Sequence, residues 1–312
     1  MQYIQFKAYD FIAIEGEEAK KFLQGQVTCD IDSLSPSHSI AGALCNIKGR
    51  VVSDFRLVEY RGSCYMLLAA GMADIVKPVL DKYMVFSRAV SRLASGEIRR
   101  IGLLGDLQHS LISELFTDLP DDDTNVIAHG DNILLKIPGI TPRHELWQFG
   151  SQTSTGDNLI LSILEGVDRA PEERWILEDI QGGVAHITPS HSDYHLPEAL
   201  NYDLNGIVSF TKGCYTGQEI VARMHYRGTA KKRLFCGVSG FETLQPESIT
   251  CISSDSEAEV MGEIINSAHD DKRNCFVLAV LPSNAAEANV RVFLNDDPAL
   301  SVRLKSLPYI VG

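Results

Sequence analysis

Lys212-Gly213-Cys214-Tyr215-Thr216-Gly217-Gln218-Glu219, with Ile220, Val221 and Met224 after it, reads as a glycine-punctuated loop running into a helix. Thr216 and Glu219 have capping-box spacing, in which each side chain satisfies the other residue's backbone N–H at a helix start. Cys214 then lies just upstream of a helix N-terminus. Free N–H groups and the positive end of the dipole stabilise a thiolate there, and Lys212 adds to that field. Gly213 and Gly217 permit tight backbone geometry beside a ligand. The other reading of Cys214 is a small packing residue, and the residues alone leave both open.

Downstream of Gly228 the texture is β-rich: Arg233 to Val238, Glu259 to Ile265, Cys275 to Leu281, Val290 to Leu294 and Leu300 to Leu304, separated by turn residues. Such short strands suggest a small antiparallel barrel or sandwich. Upstream, Glu17 to Gln24 reads as a helix ending near Gly25, and Val51 to Tyr60 and Cys64 to Ala69 as a hairpin turning on Arg61-Gly62-Ser63. Asp74 to Phe86 is amphipathic, with Pro78 expected in its first turn. Ile101 to Leu104 reads as a strand, Leu107 to Phe116 as a helix, Leu119 to Asp123 as an acidic turn and Val126 to Ile137 as a hairpin. Pro171 opens a helix whose core face is Ile176, Leu177 and Ile180 and whose stop is Gly182-Gly183. Strands and helices mix without strict βαβ alternation, which favours an α+β class.

The 312 residues are 45% hydrophobic, enough for a large core and two or three compact units. No apolar run reaches the roughly 18 residues of a membrane span, and Met1 to Lys7 lacks a signal-peptide layout, so a cytoplasmic location without membrane partners is expected. Seven cysteines without a CxxC pair or zinc-ligand spacing read as reduced thiols, with no metal site. His144, His186, His191 and His195 read as polar surface. The 28 basic and 41 acidic residues give a net charge of −13, which opposes strong direct tRNA binding. One local exception stands out: between Ile220 and Gly240 there is no acid, but there are Arg223, Arg227, Lys231, Lys232 and Arg233. This run suits a polyglutamate tail or phosphates, or is a solvated basic face.

The octapeptide 212–219, continued by Arg223 and Arg227-Gly228, resembles the signature of YgfZ-type folate-binding proteins. Phe22 to Asp30, Lys48-Gly49-Arg50, Tyr83 to Phe86 and Leu307-Pro308-Tyr309 extend the resemblance over essentially the whole chain. That family is related to the aminomethyltransferases of glycine cleavage. The resemblance implies a ring of three subdomains around a central folate pocket: residues 1–228 as a folate-binding α+β core of two interwoven subdomains, and 229–312 as a C-terminal β-barrel. It implies tetrahydrofolate or a derivative as cofactor, and iron-sulfur enzymes or assembly proteins as transient partners. The implied role is accessory, supporting iron-sulfur enzymes and tRNA methylthiolation. Cys214 and Lys212 are its implied reactive residues, and Trp175, Tyr9, Gln181, Tyr215, Gln218, Glu219, Arg223 and Arg227 its implied folate contacts. On burial alone, Trp175 reads instead as a rim residue closing the core. Relatives carry Glu-Ala-Gly where this chain has Gln181-Gly182-Gly183, and a neutral amide pairs with a pterin less strongly than a carboxylate. Asp54 alone stands where an aminomethyltransferase carboxylate falls, a polar strand residue being the other reading, and no glycine-cleavage chemistry is expected. The rival functions are a tetrahydrofolate-dependent aminomethyltransferase or demethylase and a direct tRNA-binding module.

Overall fold

The computed structural model describes residues 1–108, 112–121, 125–150, 160, 162–240, 246, 248–253, 259–287, 290–295 and 297–311. The centre of the 107–116 helix and the tip of the 119–123 turn lie outside the described residues.

Two antiparallel meanders build most of the first 150 residues. The first contains β2 (Asp10–Glu15), β3 (Ile40–Cys45), β4 (Val51–Tyr60), β5 (Ser63–Leu68) and β6 (Val90–Leu93), in the order β3-β4-β5-β2-β6. Its β4–β5 hairpin turns on Arg61 and Gly62 with φ of 50° and 78°; two successive left-handed residues match the twist of the strands they join. The second sheet has β1 (Gln2–Gln5), β7 (Ile98–Leu104), β8 (Val126–His129), β9 (Asn132–Ile137), β10 (Arg143–Phe149) and β11 (Asp168–Arg169), in the order β11-β1-β7-β10-β9-β8. Only the β1–β11 pair in it is parallel.

The alternation along β4 assigns its two faces. Phe55 and Leu57 join a core with helix α1 (Ala19–Gln24) and helix α2 (Ala73–Met84), while Val58 and Tyr60 face the other way, into a core with Ile133, Leu135 and Trp147 of the second sheet. Even-numbered Asp54 and Arg56 share that inner face. Pro78 falls in the second turn of α2 rather than the first. The helix begins after Met72, whose carbonyl accepts from Ile75 N and Val76 N, one turn too early for Pro78 to sit in the first turn.

Helix α3 (Glu172–Gly182) starts after Pro171 and ends on Gly183, left-handed at φ 69°. Tyr309 Oη donates to the Gly183 carbonyl at 2.7 Å, and a Cβ on Gly183 would lie 2.6 Å from that hydroxyl. Ile176 does not face the core: it is 40% exposed, whereas Trp175, Leu177, Glu178, Asp179 and Ile180 are buried. Glu178 and Asp179 point inward because arginines and a histidine await them there. Helix α4 (Gln218–Arg227) carries the second half of the signature and leads into β12 (Lys232–Ser239).

Beyond it lie β13 (Ile249–Ser253), β14 (Glu259–Met261), β15 (Glu263–His269), β16 (Cys275–Pro282), β17 (Val290–Leu294) and β18 (Arg303–Lys305). Among the described residues they form two sheets, β15-β16-β12-β18 and β14-β13-β17, around one apolar core, rather than one closed barrel. Short alternating strands suit a sandwich and a barrel equally; closure depends on stagger between strands, which the alternation does not carry.

Gly102 on β7 sits opposite Glu145 in the ladder, and a Cβ there would lie 2.8 Å from Trp175 Cε3. A Gly102→Ala variant is therefore expected to lose about 1–3 kcal/mol in urea denaturation through overpacking, with altered tryptophan fluorescence.

Candidate functional site

Lys212 is buried, and its ammonium donates to three backbone carbonyls: Gln24 at 2.8 Å, Val27 at 2.7 Å and Cys29 at 2.8 Å. All three of its N–H bonds are thereby used. Lys212 thus pins the loop after α1, and its N–H bonds go to those carbonyls rather than to Cys214. The same loop is tied down again by Thr216 N on Gly25 O and by Ser209 N on Thr28 O.

The capping box does not form. Thr216 Oγ1 donates to Gln26 Oε1 at 3.2 Å, and the residue before α4 is Gly217 at φ 85°, with no side-chain cap. A Cβ on Gly217 would lie 2.4 Å from the Asn46 carbonyl oxygen, so close approach to the 46–49 turn decides this helix entry. Tyr215 is buried with its ring 5.3 Å from the Lys212 ammonium. Between these two inward-pointing residues, Cys214 is exposed, while the other six thiols are buried. Burial pushes Cys29 up to about 12 and Cys64, Cys236, Cys251 and Cys275 up to about 11.

A second constellation, which the sequence reading only touched at Asp54, lies between the two N-terminal sheets and is capped by α3. Asp54 Oδ1 accepts from Ile187 N at 2.7 Å, and its Oδ2 lies 2.6 Å from His186 Nδ1. His186 Nε2 is 3.5 Å from Asp179 Oδ2, and Asp179 Oδ1 is 2.7 Å from Arg143 Nη2. Arg143 lies over the Trp175 ring at 4.8 Å. Glu145 accepts from Trp147 Nε1 at 2.8 Å and pairs with Arg100, and Arg56 reaches Ser39 Oγ at 3.2 Å. Buried charges persist when each meets an opposite charge or a hydrogen bond. Burial alone would raise the Asp179 carboxyl, but Arg143 and His186 hold it well below the carboxylate range. Burial would likewise lower His186, but Asp54 and Asp179 outweigh it and hold the imidazolium well above its ordinary 6.5. The His186 side chain is nevertheless 45% exposed, so solvent reaches the chain of charges.

The expected folate contacts fall into two groups. Tyr9 and Trp175 join the core between the sheets: Tyr9 Oη donates to Ile98 O at 3.0 Å and accepts from Arg100 N at 3.1 Å, and Trp175 is 3% exposed beneath Phe6 and Arg143. Gln181 is half-buried at the end of α3. Tyr215, Gln218 and Glu219 lie at the entry of α4, and Arg223 and Arg227 on its exposed face. The histidines also depart from a polar surface, since His144 and His195 are buried. Two surface cavities, about 330 Å³ beside Glu173 and His269 and about 620 Å³ beside Phe235 and Tyr309, lie apart from both constellations.

A pterin edge presents N–H donors beside a carbonyl and calls for carboxylates next to cations. Asp54, Asp179, His186 and Arg56 supply that set, and Arg143 Nη1 is buried without a hydrogen-bond partner. These residues fit the group. Strand β10 held the missed signal, since its inward alternation Arg143, Glu145, Trp147 places charge where an apolar strand residue belongs.

Lys212→Met would strand three buried carbonyls and is expected to cost about 2–4 kcal/mol in urea denaturation with an unchanged m value. His186 is expected to titrate above its ordinary 6.5 by NMR and to move down in Asp54→Asn. Because its folded value is raised, its stabilisation is complete below pH 6.5 and is lost as pH rises through the folded value.

No protein-family model matches the chain. It is 33% identical over 310 residues to the tRNA-modifying protein YgfZ of Colwellia psychrerythraea, covering 98% of this chain and 92% of that one. It is 29% identical over 309 residues to the protein of the same name from Klebsiella pneumoniae, covering 95% and 89%. Among solved structures, glycine cleavage system aminomethyltransferase T from Bartonella henselae matches with a TM-score of 0.79 at 13% identity, over 99% of this chain and 86% of that one. That likeness is one of fold. With the signature, the near-complete coverage and the fold in agreement, the chain belongs to the YgfZ family of tRNA-modifying proteins.

Proposed function

We propose that this protein is a cytoplasmic, folate-dependent accessory factor that supports tRNA modification and the iron-sulfur enzymes that carry it out, methylthiotransferases included, with Cys214 as its working thiol. The observation that carries the reading is that Cys214 is the one exposed thiol of seven, on a loop pinned from both sides. An accessible thiolate suits transient ligation of iron or an adduct with a one-carbon unit. The relatives' name supports the tRNA side, and unpaired cysteines throughout suit a reducing compartment. No described helix is long and apolar enough to cross a membrane.

The three subdomains of the expected ring correspond in this reading to the five-stranded unit, the six-stranded unit and, from residue 229 on, the two C-terminal sheets. The ion network at their junction is the folate site. Asp54, Asp179 and His186 bind the pterin edge, Arg56 and Arg143 balance its charge, and Trp175 forms the wall beneath Arg143 while Gln181 closes the far end. A bound tetrahydrofolate carries a one-carbon group; the protein's own residues bind it, orient it and hold the His186 proton. Asp54 also favours a second reading, tetrahydrofolate-dependent aminomethyl transfer. Methylamine turnover that disappears in Asp54→Asn would establish that reading, and turnover unchanged in the variant would remove it.

In a deletion strain, wild type is expected to restore tRNA methylthiolation and iron-sulfur enzyme activity, and Cys214→Ala to restore neither. Full rescue by the variant would overturn the thiol role. Tetrahydrofolate is expected to bind wild type and to bind Trp175→Ala and Asp54→Asn at least tenfold more weakly by calorimetry.

A further inference from the structure

The acid-free stretch from Ile220 to Gly240 is spent largely on α4 and its approach to β12, in a chain whose net charge is −13. Along α4 only Val221 is buried. Arg223, Arg227 and Lys231 are exposed, and none of them has an ion-pair partner among the described residues. Aromatic rings stand between these cations. Phe210 stacks on His225 with centroids 3.7 Å apart and planes 14° apart, His225 meets Tyr226 at 4.9 Å, and Tyr226 is 68% exposed.

A second basic segment, distant in sequence, adjoins the start of the same helix. Gly49 lies so close to Ile220 that a Cβ would come within 2.9 Å of the Ile220 Cβ, and Lys48 and Arg50 on either side of it are exposed. Arg50 Nη1 donates to the carbonyl of Tyr194, whose own ring is 58% exposed. Glu219 and Asp193 are acids of these same segments, the latter accepting from Asn46 Nδ2 at 2.9 Å. Five exposed cations and two open tyrosines are therefore carried by α4, its approach to β12, the 48–50 segment packed on the start of α4 and the Tyr194 segment that Arg50 reaches, with exposed Cys214 just upstream of α4.

We infer that these segments dock the single-stranded part of an RNA, the arginines and lysines meeting phosphates and Tyr226 and Tyr194 stacking on unpaired bases. The inference rests on the tRNA-modification reading above and adds direct contact to it. Cations interleaved with open rings are what unpaired nucleotides require, whereas a purely acidic protein surface would have no use for the rings. The acidic remainder of the molecule repels RNA at long range, so contact is confined to this patch, within a screening length of about 8 Å at physiological salt.

The test is fluorescence anisotropy of the full chain with a labelled anticodon stem-loop RNA and with a fully paired duplex of equal length, over a salt series. Wild type is expected to prefer the stem-loop, with a log–log salt slope of about −3 for the handful of phosphates neutralised. Tyr226→Ala should weaken binding about tenfold and Tyr226→Phe should not, while the pair Arg223→Glu and Arg227→Glu should flatten the salt dependence. Circular dichroism and Cys214 labelling confirm that each variant is folded. Absence of stem-loop binding at low salt, or binding indifferent to these variants, overturns the inference, as does loss of tetrahydrofolate binding with RNA binding intact, which would give the arginines to the folate tail. Wild type that restores tRNA methylthiolation in the deletion strain without binding RNA would overturn the docking face alone. Wild type that fails to restore it would instead overturn the functional reading.

Discussion

An ammonium ion surrounded by three peptide carbonyls is the constraint on which the signature region depends. The loop after α1 turns the carbonyls of Gln24, Val27 and Cys29 inward, and Lys212, 183 to 188 positions further along the chain, serves all three. A planar guanidinium fork matches carboxylates and phosphates, not three converging carbonyls, which is why lysine suits this position. Stretches 22–30 and 207–219 are therefore hydrogen-bonded together although nearly two hundred residues separate them. With residues 212 and 215 drawn inward, residue 214 has nowhere to go but outward. Thiol exposure is thus a by-product of where its neighbours are anchored.

The interior charges follow a different logic. A buried pair or triad of ions is seldom the most stable way to fill a core, and hydrophobic replacements of similar shape often do as well or better. Here Asp54, His186, Asp179 and Arg143 form a chain across three separate elements, with Glu145, Arg100 and Arg56 close by. Such an arrangement adds little stability beyond what an apolar filling of the same shape would supply. What it does provide is a set of donors and acceptors held in fixed orientation.

Local pattern in the sequence carried the elements well. The β4–β5 and β8–β9 hairpins, the helix stop at Gly183 and the late β-rich region all follow from turn residues and alternation, and the segments bearing the family resemblance, residues 22–30, 48–50 and 212–219, do meet in space. Contacts over long separations were not legible in the same way. Asp54 and His186 are 132 positions apart, and a lone histidine between Ala185 and Ile187 gives no sign of a carboxylate waiting on a distant strand. Thr216 and Glu219 had the right spacing for a capping box, but the 46–49 turn approaches so closely that only glycine fits at 217, and the threonine bonds elsewhere. Ile176 and Trp175 changed places in the expected burial for a similar reason: Gly102 leaves a gap on β7 that the indole fills.

The hydroxyl of Tyr309 closing the end of α3 sets an order of events during synthesis. Residues 172–183 leave the ribosome long before residue 309 does, and 126 positions separate the tyrosine from the carbonyl it meets. Until then the last turn of α3, which holds Asp179 against His186, is without its lock. Domains made early in translation generally fold as units while the rest is still emerging. In this protein the end of α3 gains that hydroxyl only after a further 126 residues have been made, so the last turn of the helix is completed late.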